Sequence, residues 1–116
     1  MNINIKNSIL IINFDNKTKM NQLLDNISNM VDGIIKNREG HNFPADLIPP
    51  NHLLSKYKNK CKYVIGIYNI HSLKHELLHA KFYLDKNYRQ QILNEFYSLT
   101  QTQQKYIINF LQRGLF

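Results

Sequence analysis

Apolar and polar positions alternate at the start of the chain, where Ile3 and Ile5 are separated by polar residues. They then run together from Ile9 to Ile12, with Phe14 beyond. That pattern predicts a partly buried first strand within residues 1–15, ending at Asp15-Asn16. The period then changes. Met20, Leu23, Leu24, Ile27, Met30, Val31, Ile34 and Ile35 recur at three- and four-residue intervals, the stripe of an amphipathic helix over 18–36. Gly33 inside the stripe costs about 1 kcal/mol relative to Ala and weakens the last turn.

Residues 37–51 carry Gly40, Pro44, Pro49 and Pro50 and read as an ordered loop, because proline fixes φ and removes a donor. His41 and His52 flank it; either could reach a metal, but a lone loop histidine is ordinarily a surface residue, and that is the expectation for both. From Leu53 to Ile70 the pattern reads as strand, a hairpin turning at Lys58-Asn59-Lys60 and closing with YVIGIYNI. Lys56, Lys58, Lys60 and Lys62 alternate with Tyr57, Asn59, Cys61 and Tyr63, one solvated face against one half-buried face. Gly66 marks a place where another backbone comes close.

Residues 71–85, HSLKHELLHAKFYLD, read as a helix with three faces. Leu73, Leu77, Ala80 and Leu84 form an apolar stripe, Lys74, Lys81 and Asp85 a solvated face, and His71, His75, His79 and Phe82 a face between them. A break at 85–87 follows, with Asn87 and Gln90 as a capping box for the next helix. Ile92, Leu93, Phe96 and Leu99 give that helix its apolar side. A last helix carries Tyr106, Ile107, Phe110, Leu111 and Leu115, capped by Thr100 or Thr102 and ending at Gly114. The expected architecture is α+β, a single small domain over 1–116 with a short antiparallel sheet and about four helices.

The chemistry concentrates in His75-Glu76-Leu77-Leu78-His79. On a helix the two imidazoles share one face, roughly 5–6 Å apart at Cβ, close enough to grip one ion. Glu76 lies about 100° round from His75, where a general base for a metal-bound water belongs. The motif is H-E-x-x-H, and at this point the chain resembles the zincin metallopeptidases. The resemblance covers residues 71–98, inside a metal-binding half of 62–116, and implies Zn²⁺, a small zincin-like fold and peptide-bond hydrolysis. In that reading Glu76 takes the proton of a water activated by zinc and returns it to the leaving amine.

Two histidines need a further protein ligand. Asn94-Glu95-Phe96-Tyr97-Ser98 looks like the N-E-x-x-S segment of the gluzincin branch, so the resemblance implies Glu95, although the acidic residue usual after the Ser is Leu99 here. Asp85 is the alternative, as in zincins with an aspartate ligand, but the Gly those families need after the metal helix is Phe82. His71, one turn before His75, comes third. On one unbroken helix Glu95 would lie about 24 Å from His79, so the break at 85–87 is required. Tyr83 or Tyr88 could take the place of the oxyanion donors that larger gluzincins carry elsewhere, and residues 63–68 are where an extended peptide would pair with a strand edge.

Composition narrows the classes. The chain has 116 residues, enough for one domain with a small core. No apolar run approaches the length of a membrane span, and no signal peptide is evident. Cys61 is the only cysteine, which excludes an intramolecular disulfide framework and suits an intracellular compartment. The formal charge of +7 invites a nucleic-acid reading. Lysines greatly outnumber arginines, however, and Lys, Asn and Ile are all favoured by A/T-rich codons, in a cellular or viral genome alike. Two alternatives to a peptidase therefore stand: a zincin-like module without turnover, and a basic nucleic-acid-binding protein. Oligomeric state is left open.

Overall fold

The first fifteen residues form two strands, β1 (Asn2–Lys6) and β2 (Ile9–Asn13), paired antiparallel with Ile3 opposite Ile12 and Ile5 opposite Leu10. Asn7 and Ser8 make the turn with φ of 53° and 67°. Two left-handed residues match the twist of a hairpin, and Asn is among the few non-glycine residues that adopt the conformation readily. The single strand expected over 1–15 is therefore a hairpin, hidden because its turn has no Gly.

A computed structural model describes residues 1–112, with side chains to residue 109. It divides into two compact units, Met1–Ala80 and a second from Lys81 on. The expected packing of Phe110, Leu111 and Leu115 and the helix end at Gly114 lie outside the described residues.

In the first unit, helix α1 (Lys17–Asp32) starts at Asn16, whose side chain accepts from the Lys19 N–H. It ends four residues earlier than the expected 36, at Gly33 with φ 79°. The buried Arg38 guanidinium then closes this end. It donates to the Gly33 carbonyl and the Asn29 side chain, both at 3.1 Å, and to Asp32 at 3.3 Å. A cation there also suits the negative end of the helix dipole. Ile34, the next residue of the stripe, is left exposed.

The Pro-containing loop holds a strand that its composition concealed, β3 (His41–Pro44), followed by a 3₁₀ turn over Ala45–Leu47. The hairpin expected over 53–70 is not formed. Ser55–Tyr57 is another 3₁₀ turn, and only β4 (Tyr63–Ile67) is strand. The sheet order is β1-β2-β4-β3, with β4 parallel to β2 and antiparallel to β3. The sheet is thus mixed, and the lysine-rich segment leads into its centre instead of pairing with it. The class is α+β, with four strands and four α-helices among the described residues.

Cross-strand register sorts the faces. Leu10, Ile12, Val64 and Phe43 pack with Met20, Leu24 and Ile27 of α1 in the main core. A Cβ on Gly66 would stand 2.3 Å from Leu24 Cδ1, so the close neighbour there is a helix side chain and not the backbone the sequence suggested. Ile65 and Ile67 point the other way and are buried too.

A 3₁₀ turn at Ile70–Ser72 leads into α2 (Leu73–Leu84). Its most buried residues are Glu76 and Ala80, one turn apart, while Leu73, Leu77 and Leu84 are half-buried. In the second unit, α3 (Lys86–Tyr97) is capped by Asp85, which accepts from the Tyr88 N–H at 2.9 Å; the cap is two residues earlier than the expected Asn87. Helix α4 (Gln101–Gln112) opens with the capping box Thr100–Gln103, one of the two expected caps. Among the described residues no helix is long and apolar enough to cross a membrane.

Candidate metal centre

His75 and His79 lie one turn apart on α2, and their Nε2 atoms approach to 3.3 Å with the rings edge to face at 79°. A tetrahedral ion holding two nitrogens at about 2.0–2.1 Å keeps them about 3.3–3.4 Å apart, so the pair already has the separation of two ligands to one zinc. Without a cation the same approach is an N–H···N contact between neutral rings. Burial, and next the neighbouring His75, holds the His79 pKa below its ordinary value, while Asp32 works weakly against them. Neutral imidazole is the form that ligates, and burial favours that form of His79.

Glu76 is 2% exposed. Its Oε1 lies 3.9 Å from the His75 Nε2, the nitrogen that also faces His79. Its Oε2 accepts from Asn42 Nδ2 at 2.8 Å. Asn42 Oδ1 in turn accepts from the Tyr63 hydroxyl at 2.6 Å. A Cβ on Gly40 would stand 2.8 Å from Glu76 Oε1, so only glycine leaves room for the carboxylate there. Burial pushes the Glu76 pKa up and Asp32 adds a little, opposed by the Asn42 hydrogen bond and by His75. A carboxylate raised from its usual range is the kind of base that works near neutral pH.

Among the described residues no group of three or more His, Cys, Asp or Glu side chains forms a metal cage. Glu95 is exposed on α3, and its carboxylate makes no hydrogen bond or ion pair with another described residue. Asp85 is engaged as the α3 cap. His71 is exposed in the 3₁₀ turn, not on α2. Tyr83 is partly exposed, and the Tyr88 ring lies 4.3 Å from the Lys81 ammonium.

The other two histidines are structural. His52 Nε2 lies 3.0 Å from the Leu23 carbonyl, and its Nδ1 accepts from the Leu54 N–H. His41, expected at the surface, is buried between Ser28 Oγ at 2.6 Å and Asn21 Oδ1 at 2.7 Å. The Asn21 oxygen only accepts, so Nε2 carries the proton and Nδ1 accepts from Ser28. Burial, with Arg38 nearby, lowers its pKa to about 3.

Sequence reasoning missed Gly40, Asn42, Tyr63 and Asp32. Asn42 belongs to a strand whose pattern was too short to read, Gly40 directly precedes it, and the hydrogen bond from Asn42 to Glu76 spans 34 residues. The strand edge is also displaced from expectation. Residues 63–67 are central in the sheet, and the edge near Glu76 belongs to β3. Compared with protein families, with curated proteins and with solved structures, the chain matches none.

Proposed function

We propose that the protein is a zinc-dependent peptidase, with His75 and His79 as metal ligands and Glu76 as general base. The observation that supports this most directly is the 3.3 Å approach of the two Nε2 atoms, with the Glu76 carboxylate 3.9 Å from one of them. Bound there, zinc supplies the Lewis acidity that activates water and polarises a peptide carbonyl. Glu76 accepts the proton of the attacking water and delivers it to the departing amine, a task suited to a buried carboxylate whose pKa is raised. Edge strand β3 offers main-chain groups to an extended peptide. For the third ligand we keep Glu95, with Asp85 as the alternative, because the N-E-x-x-S resemblance of residues 94–98 supports it.

Elemental analysis of protein purified without added metal is the first test, and near-stoichiometric zinc that disappears in His75→Ala is expected. Glu76→Gln should keep zinc and lose hydrolysis of a mixed peptide pool. Zinc content of Glu95→Ala and Asp85→Ala assigns the third ligand. A wild-type protein that holds zinc and cleaves nothing would be a metal-holding module; one that holds no zinc sinks the proposal outright.

A further inference from the structure

Glu76 reaches its position on a side chain with three rotatable bonds, and its two oxygens meet different neighbours. Gly40, lacking a Cβ, leaves the space that Oε1 occupies, and Asn42 Nδ2 holds Oε2. Both belong to the segment that enters β3, which pairs with β4 with Asn42 opposite Ile65. That segment is anchored further by Glu39, which accepts from Lys17 at 2.5 Å and from the Tyr68 hydroxyl. The partner of the carboxylate is therefore carried by the sheet and not by α2.

The amide can face Glu76 in only one way. Turned over, it would set its oxygen against a carboxylate oxygen, two acceptors at hydrogen-bond distance. In the observed orientation its oxygen receives the Tyr63 hydroxyl, so both ends of the amide are satisfied. Tyr63 is itself buried at the start of β4. A chain of two hydrogen bonds thus links a central strand, an edge strand and the carboxylate.

We infer that Asn42 is a positioning residue for hydrolysis: it fixes the Glu76 carboxylate through its side-chain amide, and Tyr63 fixes the amide. The inference rests on the peptidase reading above and adds two residues to it. Outer partners of this kind hold a reacting group in its productive orientation, and losing one typically costs about 10–100-fold in activity. Asn42→Ala frees the carboxylate to rotate. Asn42→Asp keeps the shape but replaces the donor with an acceptor. Tyr63→Phe removes only the hydroxyl, and should have a smaller effect.

The test measures kcat, KM and zinc content on a quenched fluorescent peptide pool, for the wild type and the three variants, with Asn42→Ala repeated in a Glu76→Asp background. The expected result is a fall in kcat of about 10–100-fold for both Asn42 variants, with KM and zinc unchanged. In the Glu76→Asp background, where the shorter side chain no longer reaches the amide, the loss should shrink to a few-fold. A residue needed only for folding would cost the same factor in both backgrounds, and that result overturns the inference. If Asn42→Ala does not fold, Tyr63→Phe in the two backgrounds gives the same comparison. An active wild type with equally active Asn42 variants sinks this inference alone. An inactive, zinc-loaded wild type sinks the peptidase reading, and this inference with it.

Discussion

Acid should unfold this protein through His41, and the size of the effect follows from its surroundings. The imidazole is fully buried on β3, held neutral between Ser28 and Asn21, with the Arg38 guanidinium and the Asp25 carboxylate alongside. Its pKa falls from 6.5 to about 3, chiefly through burial and secondly through Arg38. The unfolded chain therefore takes up this proton first. The stability His41 contributes is fully present above pH 6.5 and is lost as pH falls from there towards 3. Relative to neutral or alkaline pH, the loss is about 2 kcal/mol at about pH 5 and about 3 kcal/mol at about pH 4. Against a total stability of about 5–15 kcal/mol, that is a large share. The assay is urea unfolding from about pH 8 to about pH 5, with a metal chelator present, for the wild type and His41→Gln. His79 titrates in the same sense in both proteins, and Asp25, whose pKa burial raises, acts in the opposite sense at lower pH. The difference between the two curves isolates His41. The variant should be the less stable at pH 8 and should lose less on acidification. Parallel curves would refute the reasoning, as would an NMR titration of the His41 ring with a midpoint near 6.5.

Gly66→Ala should destabilise by about 1–3 kcal/mol in urea unfolding, because its Cβ would meet Leu24 Cδ1 at 2.3 Å inside a packed core; a change under about 0.5 kcal/mol would show that Leu24 moves aside freely. Gly40→Ala should act on chemistry more than on folding. Its Cβ would displace the Glu76 carboxylate from 2.8 Å, so hydrolysis should fall at least about 10-fold with zinc retained, and unchanged turnover would refute that placement. Glu76→Gln should raise the melting temperature, and more so at higher pH. The folded protein holds the Glu76 pKa above its usual range, so the wild type loses stability as pH rises through that raised value while the amide does not. A variant that melts lower at every pH would show that the carboxylate stabilises the fold.

The helices were largely legible because each carries its own record. The stripe from Met20 to Ile27 is read within one element, and Thr100 with Gln103 caps α4 through residues three apart. The strands carried less. The turn at Asn7-Ser8 has the backbone of a hairpin without its usual glycine, and β3 is four residues ending in proline. Alternation that short cannot be told from a loop until β4 supplies its partner. The same holds for charge. Histidine, arginine and glutamate are ordinarily exposed, yet His41, Arg38 and Glu76 are buried against groups elsewhere in the chain: Ser28 and Asn21 for His41, the end of α1 for the Arg38 terminal nitrogens with its Nε 3.8 Å from Asp25, Asn42 for Glu76. Local spacing could place two imidazoles one turn apart, since a helix dictates that geometry. It could not place the carboxylate between them and the sheet, because that position depends on an edge strand 34 residues away. The motif thus specifies which groups are present, and the mixed sheet specifies where the Glu76 carboxylate points.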